Sequence, residues 1–285
     1  MIEVRYWFLF LLALIWIIFA SVQDIKKKEV ANWLNYSLLA VALAYRGFYS
    51  LIEWDYWFFV YGIIGAAAFA ILANALYYSK IFGGGDARLL IGLGAILPFE
   101  SLMDIVGEGI MFLFLLFLIG AVYSIIFSFF VLARNFDKFK IGFHKNRKML
   151  AILYALAIIV IIFIKFVMIY NGAFYFLVIL LLILPLLYVY LLALDKCMIQ
   201  FVKPNRLQEG DWLNEEVKLA RGKVIKKSVH GLSIEDIKLL KKARKSVWIK
   251  EGVVFIPVFL ISFIIYLWIL NRYGGILNYL VRFLI

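Results

Sequence analysis

Residues 113–130 read Leu-Phe-Leu-Leu-Phe-Leu-Ile-Gly-Ala-Val-Tyr-Ser-Ile-Ile-Phe-Ser-Phe-Phe, with no charge and no alternation of polar and apolar positions. About 20 apolar residues make a helix that crosses the hydrocarbon core, whereas a barrel strand needs about 10 and alternates. The run is therefore a membrane-spanning helix. Comparable runs recur along the 285 residues, which are 66% hydrophobic with a mean hydropathy of +0.98. Soluble domains are about half apolar, so that class is excluded. The expected fold is all-α, a polytopic transmembrane helical bundle with a small cytoplasmic segment.

Working outward from that run, eight spans are expected, near residues 5–22, 33–52, 57–79, 86–106, 109–133, 149–170, 173–194 and 253–270. The chain then divides into a membrane helical domain (1–194, about seven spans), a basic cytoplasmic segment (195–252), and a last span with an external tail (253–285). The first run, Tyr6 to Val22, has only Arg5 shortly before it and lacks a small-residue cleavage site, so it reads as a retained anchor. In segment 195–252, Ser233-Ile234-Glu235-Asp236 has the form of a capping box. Ile237, Leu240, Ala243 and Val247 follow at helical spacing. So short a segment is expected to lean on the membrane or on neighbouring loops.

The net charge is +12, and its distribution sets the orientation. Of the 30 basic residues, 25 lie at 26–28, at Lys80 and Arg88, in loop 134–148 and in segment 195–252. All of these fall on one face if every span crosses. Arg5, Arg272 and Arg282 fall on the other, with Arg46 and Lys165 near the far ends of their spans, where long stems snorkel to the surface. By the positive-inside rule the basic face is cytoplasmic and both termini are outside. The charge is thus an orientation signal and a patch for acidic lipid, with no nucleic-acid partner expected. The fourth span is the weak link, because Ala87 to Phe99 is short and Pro98 interrupts it. Parity favours a kinked crossing that continues into Ser101-Leu102-Met103, with Asp104 and Glu108 near the outer surface.

Cys197 is the only cysteine, and His144 and His230 lie far apart, so no internal disulfide, metal centre or cofactor is expected. The chemistry-bearing groups are carboxylates. Gly83-Gly84-Gly85-Asp86 opens the fourth span, and Asp24 closes the first. Either one alone reads as an interfacial residue or a helix cap. Together they lie at the same depth on the same face, and a carboxylate beside hydrocarbon is costly. Two carboxyl groups in contact share a proton, so one acts as base on a water while the other polarises a carbonyl. Three glycines let backbone approach backbone and leave room for an extended substrate. Asp86, at a helix N-terminus, is expected to be the base. Asn74 in the third span is a further candidate for a hydrogen bond toward the site, or else a helix–helix contact.

Ser21-Val22-Gln23-Asp24, Lys28-Glu29-Val30-Ala31-Asn32 and Gly83-Gly84-Gly85-Asp86-Ala87-Arg88-Leu89-Leu90-Ile91-Gly92-Leu93-Gly94-Ala95 with Pro98 together resemble the archaeal preflagellin and type IV prepilin peptidases. These are membrane aspartyl proteases of the GxGD type. The resemblance is close over residues 18–98. It extends to Ile249-Lys250-Glu251-Gly252 and Ile256-Pro257, which look like the family's last membrane segment. It implies that Asp24 and Asp86 are the catalytic pair, that Gly83 and Gly85 are the motif glycines, and that no cofactor is used. Arg88 stands where relatives often carry lysine.

The implied task is cleavage of short basic leaders from pilin or archaellin precursors, just before a hydrophobic helix, on the cytoplasmic face. Bacterial members add a tetracysteine element and N-methylate the new terminus. This chain has one cysteine and no such insertion, so no methyltransferase activity is expected. The alternatives are a proton-coupled transporter using Asp24 and Asp86 as a relay, and an inactive scaffold of the same family.

Overall fold

The computed structural model describes residues 4–167, 172–219, 224–228, 231–250 and 252–273. His230, Arg282 and most of the expected external tail lie outside them, as does Glu251. Ten helices are present among the described residues, and five are long and apolar enough to cross a membrane. The chain forms two compact units, residues 1–124 with 252–285, and residues 125–251.

The first unit contains α1 (Val4–Lys27), α2 (Asn32–Glu53), α3 (Tyr56–Tyr78), α4 (Gly84–Gly94), the first part of α5 (Leu102–Arg134) and α10 (Ile256–Tyr273). On α1 the buried positions include Tyr6, Leu9, Phe10, Ala13, Ile17, Ala20 and Asp24, a stripe at helical period that ends on the carboxylate. Phe8, Leu11, Ile15 and Phe19 cover the opposite face and are exposed, as a lipid-facing surface requires. On α10 the stripe is Ile256, Phe259, Phe263, Tyr266 and Leu270, and this helix packs along α1. At one end of the unit, Arg5 Nη1 and Nη2 donate to Asp55 (2.8 Å) and Glu100 (3.0 Å). That end gathers the start of α1, the α2–α3 turn and the segment after α4.

The fourth span departs from expectation. Its helix, α4, has 11 residues and stops at Gly94, so it is about 16 Å long, roughly half of a hydrocarbon core. Residues 102–106, expected as its continuation, instead form the first turns of α5, which Ser101 caps by accepting from Asp104 N at 3.1 Å. Between the two helices Ala95, Ile96, Leu97 and Phe99 are fully buried outside regular helix. Exposed carbonyls there would be costly in lipid, so they need protein donors.

Arg46 supplies those donors. Its guanidinium gives Nε to Ala95 O, Nη2 to Leu97 O and Nη1 to Phe58 O, each at 2.7 Å, with the rings of Tyr6 and Phe58 beside it. The expectation that Arg46 snorkels outward is therefore corrected, since the residue has no exposed surface. Glu108, also expected near the surface, is buried and accepts from Tyr266 Oη at 3.0 Å.

The second unit contains the end of α5, α6 (Phe136–Lys145), α7 (Arg147–Val167), α8 (Gly172–Cys197), and a mixed segment to Lys250. Loop 134–148 is thus largely the helix α6. In the mixed segment β1 (Ile199–Val202), β2 (Trp212–Leu213) and β5 (Val247–Lys250) form an antiparallel sheet in the order β1-β5-β2. β3 (Val217–Lys218) pairs with β4 (Val224–Ile225), and α9 (Ile234–Lys242) packs on a small core of Leu213, Ile237, Leu240, Val247 and Ile249. The capping box at Ser233 and Asp236 forms as the sequence indicates. The helical spacing runs on too far, however, because α9 ends at Lys242 and Val247 belongs to β5. All-α holds for the membrane part, and the small segment adds these short strands.

Candidate active site

Asp24 lies in the last turn of α1. The helix stops just after it, where Lys28 takes φ 54° and donates its amide to Asp24 O at 2.7 Å. The Asp24 side chain is 6% exposed, and its Oδ2 accepts from Phe255 N at 2.9 Å and Ile256 N at 3.0 Å. These are the amides that open α10, so a carboxylate on the first helix caps the last one.

Asp86 lies in the first turn of α4, and its Oδ2 accepts from Gly83 N at 3.0 Å. Only half of a capping box is formed, because Gly83 has no side chain to return the bond. The backbone at Gly83 is extended, with φ −72°, and none of the three motif glycines has positive φ. Space explains Gly83 better than torsional freedom does. A Cβ there would lie 3.2 Å from Asp86 Oδ2 and press on the carboxylate.

The α1–α2 turn holds the motif in place. Gln23 Oε1 accepts from Ala31 N at 3.1 Å, which closes the turn. Buried Asn35 donates Nδ2 to Gly85 O at 3.3 Å, and Arg88 Nη1 donates to Asn32 Oδ1 at 2.6 Å. Arg88 therefore ties the start of α4 to the start of α2. Asn35 is a site residue that sequence reasoning missed. The available signal was a pair of amides, Asn32 and Asn35, three apart on the first turn of a largely apolar span. Asn74 turns away, donating to Ala70 O of its own helix at 2.8 Å from an exposed position.

The structure brings Asp24 and Asp86 to the same end of the first unit, close enough for their charges to interact. No hydrogen bond joins the two carboxyl groups among the described residues; each is held by backbone amides instead. Tyr123 of α5 is also within electrostatic reach of Asp24. Among the described residues no three of His, Cys, Asp and Glu group together as metal ligands. Arg5 and its cluster lie at the other end of α1, about 28 Å away along the helix. The arrangement offers two carboxyl groups on separate helices beside a glycine turn, a geometry suited to acid–base work on an extended chain.

Residues 11–125 match the model of the type IV leader peptidase family, a stretch that contains both aspartates and the glycine turn. The chain is 30% identical over 89 residues to the preflagellin peptidase of Methanocaldococcus jannaschii, covering 31% of this chain and 38% of that one. It is 32% identical over 89 residues to the prepilin peptidase EppA of Methanothermobacter thermautotrophicus, 31% of this chain and 23% of that one. With the preflagellin peptidase of Methanococcus maripaludis it shares 29% identity over 127 residues, 42% of this chain and 55% of that one. The matched stretches thus span between a quarter and about half of those relatives.

Proposed function

We propose, from the match of residues 11–125 to the type IV leader peptidase family, that the protein is a membrane aspartyl endopeptidase of that family. Its substrates are archaellin-like or type IV pilin-like precursors, in which a short basic leader precedes a hydrophobic helix. The observation that carries this reading is the pair Asp24 and Asp86. They sit on separate helices of one unit, at the same end of it, inside the stretch that matches the family.

In the reaction one carboxylate takes a proton from water as its oxygen attacks the scissile carbonyl carbon. The other, protonated, gives its proton to the carbonyl oxygen. The tetrahedral intermediate then collapses, the C–N bond breaks, and the leaving nitrogen takes the proton drawn from water. The intermediate's second hydroxyl returns its proton to the acid. Water is consumed and the pair is restored. The positive-inside rule supports the cytoplasmic face for the aspartate end, whose own turn carries Lys26, Lys27 and Lys28, and there a precursor's leader emerges from the bilayer while its apolar helix stays in lipid. The activity assigned is proteolysis without methyl transfer.

The test is leader removal by the purified full chain in nanodiscs, with a precursor bearing a basic leader and an apolar helix, read by mass spectrometry. Cleavage by the wild type and its loss in both Asp24→Asn and Asp86→Asn are expected. Retention of cleavage by either folded variant would sink the assignment. The transporter reading asks for titratable groups strung along a path through the bundle, whereas both aspartates lie at one end.

A further inference from the structure

Asp24 and Asp86 are held differently, and the difference bears on which of them carries the shared proton. The start of α10 is arranged around Asp24. Pro257, in its first turn, has no N–H, and Val258 N is already used, donating to Phe255 O at 3.0 Å. The amides of Phe255 and Ile256 remain, and both donate to the one oxygen Asp24 Oδ2. No hydrogen bond reaches Asp24 Oδ1 among the described residues. Asp86, by contrast, receives a single amide, that of Gly83, at the start of the shorter helix α4.

The start of α10 is itself fixed by packing. The Phe255 ring lies 5.7 Å from Phe82, the residue just before the glycine turn, and its edge sits against Gly120 of α5. Phe82 is 2% exposed, so this contact is part of the core. The helix that binds Asp24 is thereby anchored to the turn that carries Asp86.

We propose that the N-terminus of α10 is the positioning element of the pair: it keeps Asp24 ionised, with Oδ1 left to act on water, and leaves Asp86 as the partner that holds the proton. The inference rests on the peptidase reading and exchanges the roles that helix position alone suggests for the two residues. Two backbone N–H groups on one carboxylate oxygen are charge-assisted bonds, roughly twice as strong as neutral ones, and α10 adds its helix dipole. A pair that shares one proton places it on the member whose anion is less well supported. Among the described residues, Asp86 on α4 and Tyr123 on α5 lie within electrostatic reach of Asp24, and neither is a cation. The α10 amides therefore supply the stabilisation that a positive side chain supplies elsewhere.

Two variants at one position separate the amide from the ring. Phe255→Ala removes the aromatic contact and keeps the N–H, while Phe255→Pro removes both. On the precursor substrate, Phe255→Pro is expected to have a kcat about tenfold or more below that of Phe255→Ala, with KM little changed. A second readout is independent of cleavage. Dicyclohexylcarbodiimide modifies protonated carboxyl groups in apolar surroundings, and peptide mapping locates the adduct. In the wild-type chain in nanodiscs the adduct is expected on Asp86 and not on Asp24; in Phe255→Pro it appears on Asp24 as well.

An adduct on Asp24 in the wild type overturns the proposal even if Phe255→Pro fails to fold. So does a folded Phe255→Pro that matches Phe255→Ala in both readouts. Loss of cleavage in the two Asp→Asn variants together with either of those results refutes the role of α10 while the peptidase reading stands. The expected adduct pattern without any precursor cleavage by the wild type refutes the peptidase reading and, with it, the positioning role.

Discussion

Gly65 of α3 and Gly94 of α4 meet backbone to backbone. A Cβ on Gly65 would overlap Gly94 O, and one on Gly94 would lie 2.7 Å from Gly65 O. Small residues let membrane helices approach this closely, and here the contact sits at the last turn of the short helix that begins with the glycine turn. Gly65→Ala and Gly94→Ala are each expected to lower the stability of the purified protein by about 1–3 kcal/mol or more, the usual range for overpacking. Thermal unfolding in detergent reads this, and an unchanged midpoint in both variants would contradict the contact.

Arg46→Met keeps much of the side-chain volume but removes the Arg46 donors from the carbonyls of Phe58, Ala95 and Leu97, of which Leu97 O keeps the amide of Phe99 at 2.9 Å. A buried group left unmade costs about 1–3 kcal/mol, so the loss should be at least of that order. Arg46→Lys is expected to recover only part of it, because one ammonium does not match three carbonyls spaced around a planar fork. Hydrogen exchange at residues 95–99 should rise in both variants, and more in Met.

At the glycine turn the prediction concerns activity more than stability. Gly83→Ala places a methyl group 3.2 Å from Asp86 Oδ2. Precursor cleavage should fall at least about tenfold while the unfolding midpoint moves little, since a small misplacement of a catalytic group has a large effect on rate. Full activity in Gly83→Ala would mean that the turn tolerates a side chain and that the spacing argument is wrong.

Asn35→Leu removes the donor to Gly85 O from a buried position. A stability loss of about 1 kcal/mol is expected, with a larger proportional loss of cleavage because the carbonyl it holds belongs to the turn bearing Asp86. Asn35→Gln, which keeps the amide on a longer stem, should not restore wild-type kcat. Equal loss of stability and no loss of kcat would make Asn35 a packing residue only.

Ser233→Ala tests the mixed segment before α10 separately. Loss of the N-cap of α9 should cost that segment about 1 kcal/mol and leave leader cleavage unchanged. Limited proteolysis near residues 233–245 should report the change. A fall in cleavage to match would tie the segment to catalysis.

The membrane helices were legible because their signal is length and apolarity, which a sequence carries without reference to packing. The fourth span was less so. Its shortness and Pro98 were visible, but a helix that ends at Gly94 is possible only because Arg46, 49 positions earlier, reaches its freed carbonyl at Ala95. The strands of the mixed segment were hidden for a different reason. With two to four residues each, they are too short for an alternating pattern, and their pairing joins Ile199 to Lys250 across the whole segment.

For the candidate site, the sequence alone singled out the two carboxylates and the common end of the first unit at which they lie. Aspartates at the ends of apolar runs are conspicuous in one dimension, and alternate crossing fixes which ends coincide. Only the tertiary structure decided what each carboxylate is bonded to. Asp24 is held by amides 231 and 232 positions away, and Asp86 by one three positions away. Those partners are backbone N–H groups, which every residue but proline possesses, so no side-chain pattern can mark them. Helix packing alone selects the two that meet Asp24.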